Sequence, residues 1–168
     1  MINILIKIIK SKLKKNFSFL RYKKKLSSKI IRNVKIDEGT RIGPYVLIDG
    51  EAGSILIGKN CSINSFSWLG GGNSILSIGN DVRIGTGTVI SCANHIFKDK
   101  NLLIRQQGLE KNSDITIEDD VWIGANSTIL PGVKIQKGSV IGAGSVVTKD
   151  IESYVVAVGN PAKKIKER

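Results

Sequence analysis

At 168 residues the chain has room for one domain and a short appendage, and with 5% aromatics beside 18 glycines its core must be built from Ile, Val and Leu. A formal charge of +12 suggests a nucleic-acid partner until it is located: residues 1–33 hold eleven Lys or Arg and no acid, leaving 15 basic against 14 acidic residues elsewhere. The basicity therefore belongs to the first segment and not to the body, which excludes a generally basic binding domain.

In that segment Ile2, Leu5, Ile6, Ile9, Leu13, Phe17 and Leu20 recur every three to four positions with lysines between them, the pattern of a basic amphipathic helix. Such a helix either lies on an anionic membrane surface, each cation adding about 1 kcal/mol, or caps the end of the fold with its lysines in water. The segment lacks aromatics interleaved on a sheet and any recognisable nucleic-acid-binding motif, so no nucleic-acid partner is expected. Lysines 7, 10, 12, 14 and 15 interrupt the apolar run, so neither a cleaved signal nor a membrane span is expected. The expected location is the cytoplasm, with residues 1–25 open to peripheral contact at the inner face of the plasma membrane.

From Val34 to Lys149 an aliphatic residue returns every sixth position, in five sets of three: Ile36, Ile42, Ile48; Ile57, Ile63, Leu69; Ile78, Ile84, Ile90; Ile117, Ile123, Ile129; Ile135, Ile141, Val147. Four places after an aliphatic stands a small or β-branched residue, as at Val121, Ser127, Val133, Ser139 and Ser145. A helical stripe recurs at three and four and a strand alternates at two, so a strict six means a chain that turns a corner every few residues. Stacked about 4.8 Å apart, five coils make a prism about 20–25 Å tall. Gly50–Gly53 and Gly70–Asn73 each shift the frame by three residues, as corner insertions do.

After Ile90 the next frame residue is Ile117, so 21 extra residues leave the scaffold within 91–116. They carry His95, the only histidine, together with Asp99, Arg105 and Gln106, and a long polar excursion from a regular solenoid is where function is usually placed. Residues 150–168 read as a basic tail with a loop, a short strand over 154–158 and a turn at Gly159-Asn160-Pro161. Cys61 and Cys92 lack CxxC spacing and read as reduced thiols.

The runs Cys92-Ala93-Asn94-His95, Arg105-Gln106-Gln107-Gly108, Asp120-Val121-Trp122-Ile123-Gly124-Ala125-Asn126, Pro131-Gly132-Val133, Gly142-Ala143-Gly144-Ser145-Val146-Val147-Thr148-Lys149-Asp150 and Gly159-Asn160-Pro161-Ala162-Lys163 resemble the hexapeptide-repeat acetyltransferases. The similarity is greatest to maltose and galactoside O-acetyltransferases and to sugar O-acetyltransferases of capsule and lipopolysaccharide clusters, and it covers residues 34–168. It implies an all-β fold, a left-handed parallel β-helix of about five coils with an extended loop, in a homotrimer with active sites between subunits.

It also implies transfer of an acetyl group from acetyl-coenzyme A to a sugar hydroxyl of a surface polysaccharide or its precursor, with no metal. An alcohol attacks a thioester only as its proton leaves, and histidine, with an ordinary pKa of about 6.5, suits that role. His95 matches the family's catalytic histidine. Asn64 falls where the acceptor hydroxyl is held, and Asp99, Arg105 and Gln106 are candidates for acceptor contact or for orienting His95; each could equally be a turn or solvated-loop residue. Trp122, Ala125, Ala143, Thr148, Lys149 and Lys166 match the donor groove, the small alanines exposing backbone amides to pantetheine and the lysines meeting phosphates. The zinc carbonic anhydrases built on the same helix need three histidines, which this chain lacks. An antibiotic acetyltransferase of the virginiamycin or chloramphenicol type, or a non-catalytic scaffold, are the alternatives.

Overall fold

The computed structural model describes residues 28–111 and 113–168. The helix expected over the first 25 residues lies outside them. The six-residue frame folds into three parallel sheets that each coil visits in turn. Face A stacks Lys29–Ile30, Leu47–Asp49, Trp68–Gly70, Val89–Ser91, Thr128–Ile129 and Val146–Val147. Face B stacks Val34–Ile36, Ser54–Ile57, Ile75–Ile78, Ile115–Ile117 and Lys134–Ile135. Face C stacks Arg41–Ile42, Ser62–Ile63, Arg83–Ile84, Trp122–Ile123, Val140–Ile141 and Val155–Val158, with Lys163–Glu167 antiparallel along its edge.

All five expected coils are present, and the solenoid runs past both ends of the expected 34–149. Lys29–Ile30 pairs with Leu47–Ile48 and is in frame, Ile30 preceding Ile36 by six; its charge grouped it with the basic segment. At the other end the expected tail of 150–168 is a sixth turn: Ile151 pairs with Ile135 and Ala157 with Ile141. That turn is two residues shorter than the eighteen-residue coil, so a strict count of six loses it. Lys163–Glu167 then covers backbone groups that the last coil of face C would leave open.

The frame aliphatics form three inward ladders, one per face. On face A, Ile48, Leu69, Ile90, Ile129 and Val147 stack in register and each is 0% exposed. Burying each such side chain stabilises the fold by about 1.5–3 kcal/mol, which replaces the aromatic core this composition lacks. The small positions close the corners. Ser127 Oγ donates to Gly124 O or Gly142 O (2.9 and 3.1 Å), and Ser67 Oγ reaches Asn64 O and Gly85 O (2.8 and 3.1 Å). A hydroxyl at these sites satisfies turn carbonyls that no strand can reach.

Along two of the three edges the corners also place a residue in the left-handed region. On the edge between faces B and C these are Gly39, Asn60, Asp81, Asp120, Gly138 and Tyr154; on the edge between C and A they are Tyr45, Phe66, Gly87, Asn126 and Gly144. Gly, Asn and Asp adopt this conformation readily, whereas a bulky side chain is strained there by about 1–2 kcal/mol. Tyr154 has a packing reason, since its ring lies against Gly138, where an added Cβ would be 2.4 Å from the ring. Tyr45 and Phe66 remain 46% and 63% exposed.

Both cysteines are buried free thiols. Burial pushes the Cys92 thiol up to about 11. The raised value means the fold favours the neutral thiol, so this contribution to stability is whole below the ordinary thiol range and is lost as pH rises toward 11. Native protein at pH 8 is therefore expected to leave Cys92 unmodified by a disulfide reagent for as long as it stays folded. Stoichiometric labelling of Cys92 without denaturant would contradict that burial.

Candidate active site

The excursion leaves the edge between faces A and B. At its base Cys92 N–H donates to Gly70 O (3.0 Å), and the side of Ala93 lies where a Cβ on Gly72 would meet it at 3.0 Å. His95 then forms an isolated antiparallel bridge with Leu109, closed by Ile96 N–H to Gly108 O (3.1 Å) and Glu110 N–H to Asn94 O (2.9 Å). Asn94 Nδ2 also donates to Glu110 Oε2 at 3.1 Å, so the residue preceding His95 is held by backbone and side chain. The excursion re-enters the solenoid where Ser113 N–H donates to Ser74 Oγ (3.0 Å). His95 thus stands on a fixed neck and its side chain is exposed.

Beyond the neck, Gln107 organises the tip. Its Nε2 donates to Asp99 O and Leu102 O (2.8 and 3.0 Å), and its Oε1 accepts from Asp99 N–H (3.1 Å). Asp99 Oδ1 accepts from Asn101 N–H at 2.8 Å, and Gln106 Oε1 from Leu103 N–H at 3.2 Å, starting the single turn Ile104–Gln107. Asp99 and Gln106 therefore shape the loop in this structure, and among the described residues no side chain hydrogen-bonds the His95 imidazole. Arg105 is exposed at the same tip. Asn94, Gln107 and Glu110 are the residues that the sequence reasoning undervalued.

Asn64 lies elsewhere, on the edge between faces C and A, with its N–H donating to Ile84 O (3.0 Å). Ala125 and Ala143 sit higher on that same edge. A Cβ on Gly85 would lie 2.4 Å from Ala125 N, and one on Gly124 would lie 2.4 Å from Ala143 N, so the corner stacks this closely only because it begins with glycine. Ala143 is exposed, Ala125 half-buried, and Ala125 O accepts from Gly144 N–H (2.8 Å). Thr148 and Lys149 are exposed on the A–B edge of the fifth coil. Trp122, 56% exposed, projects from face C in register with Arg83 and Val140, and Lys166 is exposed on the edge strand opposite Val156.

The fold therefore places the candidates on two edges and one face. His95, Asp99, Arg105, Gln106, Thr148 and Lys149 flank one side of face A; Asn64, Ala125 and Ala143 flank the other. Face A between them is three residues wide, about 10 Å. It presents Leu47, Trp68, Val89, Thr128 and Val146 outward, a ladder of half-buried and mainly apolar side chains. Among the described residues no His, Cys, Asp and Glu cluster is arranged to hold a metal ion.

Residues 114–149 match the family described as bacterial transferase hexapeptide (six repeats). The chain superposes on a maltose O-acetyltransferase from Clostridium difficile 630 with a TM-score of 0.70 at 34% identity, covering 81% of this chain and 71% of that one. It superposes on a hexapeptide-repeat acetyltransferase from Vibrio cholerae, solved with acetyl coenzyme A, with a TM-score of 0.66 at 31% identity, covering 77% and 70% of the two chains. A galactoside O-acetyltransferase from Lactococcus lactis is 46% identical over 84 residues, half of this chain and 39% of that protein. The chain spans less than half the length of the curated relatives it matches first. It belongs to the hexapeptide-repeat acetyltransferase family.

Proposed function

We propose that this chain transfers an acetyl group from acetyl-coenzyme A to a sugar hydroxyl of a surface polysaccharide or its precursor. The observation that carries the reading is the placement of the only histidine on a rigid neck beside a hexapeptide solenoid similar to sugar O-acetyltransferases. His95 takes the acceptor's hydroxyl proton as the oxygen attacks the thioester carbonyl. The tetrahedral oxyanion collapses, the C–S bond breaks, and the proton passes to the departing thiolate. The corner amides of Ala125 and Ala143 receive the pantetheine arm, and Thr148, Lys149 and Lys166 meet the nucleotide end, with Trp122 as a wall.

His95 and the corner amides of Ala125 and Ala143 lie on opposite edges of one chain, so a homotrimer is part of the proposal. It sets the excursion of one copy against the edge between faces C and A of the next, and the apolar ladder of face A supports that packing. The test is release of coenzyme A thiol from acetyl-coenzyme A in the presence of a panel of pyranosides and, separately, chloramphenicol and a streptogramin. Acceptor-dependent release with a pyranoside is expected. Release with an antibiotic alone would replace the acceptor class, and no acceptor-dependent release would contradict the reading.

A further inference from the structure

The edge between faces C and A carries a feature that the donor and histidine assignments leave unused. The third corner residue is left-handed at every level described: Tyr45 (φ 59°), Phe66 (63°), Gly87 (70°), Asn126 (56°) and Gly144 (70°). The upper three are residues that take this conformation readily; the lower two are aromatics that do not. Their rings stack in parallel, centroids 5.2 Å apart and planes 4° from each other, yet both stay largely exposed in the single chain. Tyr154 resolves the same conflict by covering Gly138. Above Phe66 the column continues with Gly87, which has no side chain to cover the ring. Strained, exposed and mutually stacked aromatics are better explained by a ligand than by the fold, because Asn or Gly would serve the fold at less cost.

We propose that Tyr45 and Phe66 form a platform for the apolar face of a pyranose ring, the acceptor end of the site. Position along the edge selects the ligand. Phe66 is two residues beyond Asn64, at the level of the second coil, while Ala125 and Ala143 lie on the fourth and fifth coils. A donor laid along those upper coils leaves the lower ones to the acceptor. A pyranose presents axial C–H groups on one face, which pack against an aromatic surface while its hydroxyls stay in water or reach polar groups such as Asn64. This inference rests on the proposed sugar acetyltransferase activity and specifies where the sugar sits.

The test separates sugar binding from transfer. Methyl pyranosides are titrated into the full chain by saturation-transfer NMR, and coenzyme A binding is measured on the same samples by calorimetry. Wild type is expected to bind the glycoside. Phe66→Asn, which keeps a residue suited to the left-handed corner, is expected to weaken it about tenfold, an effect of the size aromatic stacking gives, while Phe66→Tyr retains it. Phe66→Asn is also expected to melt no lower than wild type and to bind coenzyme A unchanged. Unchanged glycoside affinity in Phe66→Asn overturns the platform, as does a wild type that binds no pyranoside. A loss of coenzyme A affinity in Phe66→Asn, or a change in its oligomeric state by ultracentrifugation, would instead assign the rings to the donor or to a neighbouring copy and overturn it equally. Absence of coenzyme A binding in wild type would contradict the donor reading and leave the glycoside result to stand or fall alone.

Discussion

His95→Ala is expected to lower the turnover of acetyl transfer by about two to four orders of magnitude, the contribution of a positioned general base. Coenzyme A affinity should stay within about twofold, because on the proposed reading the donor is held by the corner amides and by Thr148, Lys149 and Lys166 and not by the imidazole. Steady-state kinetics paired with calorimetry measure both. Turnover close to wild type would remove His95 from the chemistry. The neck makes the experiment clean: His95 is held by backbone hydrogen bonds of Ile96 and Glu110, and its exposed side chain can be deleted without disturbing them.

The largest effect on stability is expected at Ile123. It is 0% exposed and stands in register between Ile84 and Ile141 on face C. Ile123→Ala removes packed atoms from a ladder whose neighbours are fixed by parallel strands on both sides, so the void cannot close, and a loss of about 2–5 kcal/mol is expected. For a chain of this size that lowers the melting temperature by about 4–20 °C. Leu130→Ala, at a residue 37% exposed on the corner that follows Ile129, should change stability by less than about 0.5 kcal/mol. Equal losses in the two variants would mean that the ladder does not carry the stability assigned to it.

The ladder was legible because one aliphatic in six leaves a signal that no helix or alternating strand produces. Its ends were harder to see. Ile30 kept the period but lay among lysines, and Ile151 and Ala157 broke it by returning two residues early. Among the candidate residues His95 stands out because it is unique and opens the excursion, whereas the loop contacts of Asn94, Gln107 and Glu110 depend on a chain reversal that polar residues alone do not announce. Asp99 and Gln106 attracted attention as polar loop residues, and the structure uses their side chains to hold backbone N–H groups of the loop itself. Tyr45 and Phe66 were within reach of the frame. Counting three from each face C aliphatic gives Tyr45, Phe66, Gly87, Asn126 and Gly144, and two aromatics in a column of Gly and Asn mark the exception.

A site shared between copies has a consequence that one chain acting alone cannot reproduce. On the proposed reading His95→Ala lacks the base, and Ala143→Trp, at an exposed corner, blocks the donor edge, so each variant alone should be nearly inactive. If one copy supplies His95 and the next supplies the corner, then in trimers assembled at random from equal amounts of the two variants about a quarter of the sites hold both intact halves. The measurement is the acetyl-transfer rate of co-refolded, equimolar variants against wild type. Recovery to about a quarter of wild-type activity is the predicted result, and a rate no higher than the sum of the two variants assayed separately would contradict it.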